Sequence, residues 1–129
     1  MLNFPDTPTV NQIFTSGVFS WKWDGVKWVV SGVSAPTVFF VNTTTTLTTG
    51  FTGVVRVENN TSSPITITLP TSPTVGQAIT VKDFLGNASS WAITINGNTK
   101  NIDGVATLAI NFNYGWAEMI YNGVQWGQV

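Results

Sequence analysis

The 129-residue chain contains no cysteine and no histidine. Without cysteine there is no disulfide framework and no thiolate metal site. Without histidine the commonest general base and the commonest transition-metal ligand are missing. Charge is scarce as well: five basic and six acidic residues, 9% of the chain, with a net charge of −1, where about a quarter is usual. Arg56 is the only arginine and the four lysines are scattered. That leaves no electrostatic footprint for nucleic acid and no polybasic patch for a membrane surface. No run approaches 18 consecutive apolar residues, so no membrane span is expected. The first twenty residues lack a basic and an apolar region in succession, so no secretory signal is expected either. Helical periodicity is absent from every window, so little helix is expected.

The carboxylates that are present do not suggest catalysis. Asp24 and Asp103 each precede glycine and read as turn formers, and Asp83 opens the loop D-F-L-G-N. Asp6, Glu58 and Glu118 complete the set. No spacing favours the facing pair that glycoside hydrolysis needs or the oxygen cluster that calcium needs. The serines have neither a histidine partner nor a nucleophile elbow. The expectation is a non-enzyme, with no catalytic residue, cofactor or metal.

What the chain does contain is a repeat. F-P-D-T-P-T-V-N-Q (Phe4–Gln12) returns as L-P-T-S-P-T-V-G-Q (Leu69–Gln77), and D-G-V-K-W (Asp24–Trp28) returns as N-G-V-Q-W (Asn122–Trp126). Asp-Gly and Asn-Gly favour two-residue hairpin turns, because both central positions take positive φ. Around them, short alternating runs are punctuated by turn signals about every ten residues. Strands are expected at 17–23, 26–31, 38–41, 54–58, 65–69, 77–82, 91–95, 106–110, 116–121 and 124–129. The predicted fold is all-β, an antiparallel β-sandwich or barrel-like domain with an N-terminal Trp-rich β-hairpin module. Its divisions are the Trp hairpin (1–31), a Thr-rich linker or edge strand (32–53) and a β-sandwich domain (54–129). The 43% hydrophobic content suffices for a core, and a small chain without staples gains stability by oligomerising.

A two-residue turn at Asp24-Gly25 would set Trp23 opposite Val26, Trp21 opposite Trp28 and Phe19 opposite Val30, all on one face. Lys22 would then oppose Lys27, a like-charge pair that either splays into water or meets an acidic partner. Trp21, Trp23 and Trp28 are expected in core or intersubunit packing, with a sugar-stacking platform as the alternative. Trp126 joins Trp21, Trp23, Trp28, Lys22 and Lys27 as a packing or interface candidate.

The segment F-P-D-T-P-T-V-N-Q-I-F-T through F-S-W-K-W-D-G-V-K-W resembles a module found in tailed-bacteriophage virion proteins. The second half, from I-T-I-T-L-P-T-S-P-T-V-G-Q-A-I-T-V-K-D-F-L-G-N-A to Y-G-W-A-E-M-I-Y-N-G-V-Q-W, is similar to a pattern of phage tail-fibre, tailspike and capsid-decoration proteins. The resemblance implies a virion structural protein, commonly a homotrimer, that touches the major capsid protein or another virion protein. The chain has no heptad or solenoid repeat to serve as a shaft, which favours a capsid decoration (cement) protein. A tail-fibre or baseplate accessory, or a receptor (glycan)-binding β module, is the alternative. Nucleic acid and membrane are not expected partners, and the expected location is the virion.

Overall fold

The computed structural model describes residues 3–33 and 37–129, and the chain divides into two compact units, Met1–Pro36 and Thr37–Val129. The first unit is a three-stranded antiparallel sheet of β1 (Ile13–Ser16), β2 (Phe19–Trp23) and β3 (Trp28–Val33), in that order. Gly17, at φ 61°, turns the chain between β1 and β2. The sequence pattern merges this turn into a longer strand, so β1 is absent from the expected set.

In the second unit the chain alternates between two sheets. β4 (Val38–Val41), β6 (Gly53–Val57), β8 (Ala78–Asp83), β11 (Trp116–Tyr121) and β12 (Trp126–Gln128) form one, in the order β12-β11-β8-β6-β4. β5 (Thr45–Thr46), β7 (Ile65–Thr68), β9 (Ile93–Asn96) and β10 (Thr107–Ile110) form the other, in the order β10-β9-β7-β5. Each sheet ends in free edge strands, so neither closes into a barrel. The fold is all-β and sandwich-like, with a Trp-rich N-terminal sheet.

Strand direction departs from the expected antiparallel arrangement. The pairs β4–β6, β6–β8, β5–β7 and β7–β9 are parallel, while β8–β11, β11–β12 and β9–β10 are antiparallel. A chain that crosses to the facing sheet after every strand re-enters its own sheet in the same direction. The period-two pattern is identical for both directions, so alternation alone does not report it.

That alternation builds the core. In I-T-I-T and I-T-I-N the isoleucines Ile65, Ile67, Ile93 and Ile95 point inward and are buried, and the threonines between them face out. They meet Val55, Val57, Ile79, Val81, Ala117, Met119 and Trp126 in one cluster. Burial of each such side chain is worth about 1.5–3 kcal/mol. Among the described residues the one fully buried carboxylate is Asp83, at the end of β8. Its two oxygens accept hydrogen bonds from the backbone N–H groups of Gly86, Ala88 and Tyr114, at 3.1, 3.1 and 3.0 Å. Backbone donors thus satisfy a charge that would otherwise be costly to bury. They also pin the loop after β8 to the approach to β11.

Asp83→Ala is expected to lower stability by roughly 1–3 kcal/mol, since it leaves the buried Ala88 N–H and the part-buried Gly86 and Tyr114 N–H groups without their acceptor. Urea denaturation followed by tryptophan fluorescence measures it, and a loss below that of a typical surface substitution would contradict this role.

Candidate functional site

The two sequence repeats are structural repeats down to individual hydrogen bonds. In the first copy the Gln12 side-chain oxygen accepts from Thr9 N–H at 2.9 Å; in the second, Gln77 accepts from Thr74 N–H at 3.0 Å. Gln12 and Gln77 then accept, at their backbone carbonyls, the N–H groups of Trp23 (2.9 Å) and Tyr121 (3.0 Å). The residue before each glutamine, Asn11 at φ 72° and Gly76 at φ 85°, is left-handed and donates back to the carbonyl of Trp23 or Tyr121. Asparagine and glycine are residues that tolerate that conformation.

The hairpin tips match too. The Asp24 carboxylate accepts the N–H groups of Val26 and Lys27, both at 2.8 Å, and the Asn122 amide oxygen accepts those of Val124 and Gln125, both at 2.9 Å. This side-chain acceptor lengthens the turn beyond the expected two residues. The register is therefore Trp23 opposite Trp28, Lys22 opposite Val29 and Trp21 opposite Val30. Trp23 does not oppose Val26, Trp21 does not oppose Trp28, and the expected Lys22–Lys27 opposition does not occur. Phe19 lies opposite Val33, past a bulge at Ser20/Trp21. The displacement from Val26 to Trp28 is two residues, one full strand period, so the expected face for Trp21, Trp23, Trp28 and Val30 survives the change of register. Val26 leaves that face for the loop. Lys22 lies on the opposite face between Ile13 and Val29, Lys27 lies at the tip, and both are exposed.

Strand registers correspond pair for pair. Phe14 opposes Trp21 as Ile79 opposes Met119, and Trp23 opposes Trp28 as Tyr121 opposes Trp126. The ring pairs Trp23–Trp28 and Tyr121–Trp126 lie 5.6 and 5.5 Å apart, both at 58°. Phe4, the counterpart of Leu69, stacks on Trp28 at 5.3 Å and 18° and meets Trp21 edge-on at 5.4 Å. The difference is cover. Leu69, Ile79, Met119, Tyr121 and Trp126 are buried, whereas Phe4, Phe14, Trp21, Trp23 and Trp28 are half-buried, and no described residue of the first unit is fully buried.

A second surface crosses the outer face of the five-stranded sheet. Phe40, Arg56, Lys82 and Trp116 are register partners on four neighbouring strands and form one row. The Arg56 guanidinium lies 4.9 Å from the centre of the Phe40 ring and 3.1 Å from that of Phe84, a cation–π arrangement. It also pairs with Glu58 at 2.7 Å, and the Lys82 ammonium donates to the Tyr114 carbonyl. Phe40 and Trp116 are 59% and 53% exposed. The sequence reading missed this row, because positions far apart in the chain align only once strand register is known. At the free edges of the sandwich, Phe39, Leu47 and Phe51 line a cavity of about 240 Å³ with Thr37, Thr46 and Thr48.

No protein-family model matches the chain, and no curated protein matches it. Among solved structures, a chain in a "Structure of a chaperone-substrate complex" is similar with 21% identity and a TM-score of 0.49, over 86% of this chain and 19% of that one.

Trp28 and Trp126 occupy equivalent positions with different cover, which makes a matched pair of substitutions. Trp126→Ala is expected to cost about 3–5 kcal/mol and Trp28→Ala roughly half as much in urea denaturation of the isolated protein; equal costs would show equal cover. A second expectation concerns acid. The N–H groups of Lys27 and Val26 hold the Asp24 carboxyl below its ordinary value of 3.8. Its contribution is thus fully present above the unfolded-chain value and is lost as pH falls through the lower folded-state value. Asp24→Asn should keep the turn, as Asn122 does, and remove that loss. Fluorescence melting between pH 7 and 3 compares the two proteins.

Proposed function

We propose that the chain is a virion structural protein that binds the assembled capsid as a homotrimer and stabilises it, a decoration or cement protein. The observation that carries the reading is the duplicated hairpin module. One copy is packed within a sandwich, and the other holds an aromatic face open, on a framework whose ordering groups are backbone amides, glutamines and turn residues. This is a framework for assembly contacts, and its motifs are those that resemble phage virion modules. The partner is the major capsid protein or another virion protein.

The mechanism follows from linkage. A protein that binds only the assembled lattice stabilises it in proportion to the logarithm of its concentration over its dissociation constant. A trimer seated across several subunits multiplies weak contacts through effective concentration. With so few charges, contacts are chiefly apolar and shape-based, and their strength should vary little with salt.

A second reading, a tail-fibre or baseplate accessory or a receptor (glycan)-binding module, is favoured by the row of Phe40, Arg56, Lys82 and Trp116. Exposed aromatic faces stack on sugar rings, and the paired cations suit acidic groups.

Particles lacking the protein are expected to assemble but to release their contents at a lower temperature, and purified protein should restore the loss up to a fixed copy number. Particle melting and quantitative electrophoresis measure both. Recovery of the protein only on tails, at a few copies per particle, would overturn the capsid role and promote the second reading.

A further inference from the structure

We propose that the aromatic face of the N-terminal sheet is a self-association surface, covered in solution by the same face of a second copy of this chain. The argument starts from the internal repeat. Phe14, Trp21, Trp23 and Trp28 stand at the register positions of Ile79, Met119, Tyr121 and Trp126. In the second copy these positions are core, closed over by the isoleucines of the facing sheet. The first copy has the same strands and turns, but nothing in it corresponds to the long connection after Asp83 that carries β9 and β10 before the chain returns at Trp116: only Gly17 and Val18 join β1 to β2. The part of the covering layer that the second copy inserts into its own hairpin is therefore not encoded in the first.

Side-chain size and charge identify the occupant. At the uncovered positions Ile, Met, Leu and Tyr are replaced by the larger Phe14, Trp21, Phe4 and Trp23. Larger rings offer more apolar area per position, and that area favours burial against an apolar layer. The face carries no charge: Lys22 points to the opposite side, Asp24 and Lys27 lie at the tip, and Asp6 is exposed with the polar residues of the entering segment. Identical faces can thus meet without like-charge repulsion, whereas a charged lattice or an anionic ligand would find no complement there.

Area sets the strength. Five half-buried aromatic rings, with Phe19 and Val30 at 46% and 64% exposure, leave on the order of 500 Å² of apolar surface per copy, given the usual size of such side chains. Two copies would bury roughly 1,000 Å², the lower edge of specific interfaces, so the association is expected to be weak and concentration-dependent. A contact between identical faces pairs two copies, so this inference does not rest on the proposed homotrimer, which needs a further contact, and particle binding can fail while self-association holds.

The test is sedimentation equilibrium of the full chain from roughly 1 to 100 µM. Val30→Glu and Phe19→Glu place a carboxylate on the exposed part of the face, and Val26→Glu, at an 83% exposed tip position off the face, is the control. The wild type and Val26→Glu should show concentration-dependent mass above one chain. Val30→Glu and Phe19→Glu should sediment as single chains, with unchanged far-UV circular dichroism and urea unfolding of the Trp126 core. A wild type that stays a single chain throughout overturns the proposal, as does a wild-type mass for both face variants. If one face variant unfolds, the other decides.

Discussion

A β-sheet with one apolar face must lay that face against something, and every larger feature of this protein follows from how each unit meets the constraint. The C-terminal unit meets it with a second sheet, threaded so that the strands from β4 to β9 alternate between layers and close on one cluster of isoleucine, valine, methionine and tryptophan. The N-terminal unit has a single layer, with only Phe4 laid across its rings. Two readings of one hairpin module thus end in different states of cover.

With so few charges, order comes from directional hydrogen bonds. Gln12 and Gln77 tie their own turns, Asp24 and Asn122 hold the hairpin tips, and Asp83 gathers three backbone donors. Asn59, buried between β6 and β7, accepts the Thr61 N–H and donates its side-chain amide to the Ser63 carbonyl. These groups satisfy backbone amides at places where a sheet ladder ends, which is where unpaired groups would cost most. The one close ion pair among the described residues, Arg56 with Glu58, lies half-exposed on the outer face, where such pairs contribute little.

Much of this was legible in the sequence, for physical reasons. Turn residues and period-two alternation mark strands independently of their partners, so the strands from Val38 onward lie close to where the pattern put them. The exception there is β5, two threonines long and too short for any period. Strand direction was not legible, because it depends on where the chain goes between strands. The hairpin register was displaced by a carboxylate that caps two amides, yet the face assignment held because the displacement equalled the strand period. Lys22 shows the cost of the same error: its expected neighbour Lys27 lies in the turn and Val29 stands in its place. The sequence makes Trp126 only a packing or interface candidate; its burial follows from the layer of the facing sheet brought over it. The row from Phe40 to Trp116 needed four strands in register before it existed at all.

The connection between β8 and β11 has a further meaning. In the first copy the equivalent strands are joined by a tight turn; in the second, the chain leaves after Asp83, contributes β9 and β10 to the facing sheet, and returns at Trp116. Part of the covering layer is thus an excursion from a hairpin loop, inserted where Asp83 clasps both ends of the detour. Loop tips are the places where chains accept added segments without disturbing their frame. The module can therefore be read as a socket, and the length of one loop decides whether it carries its own lid.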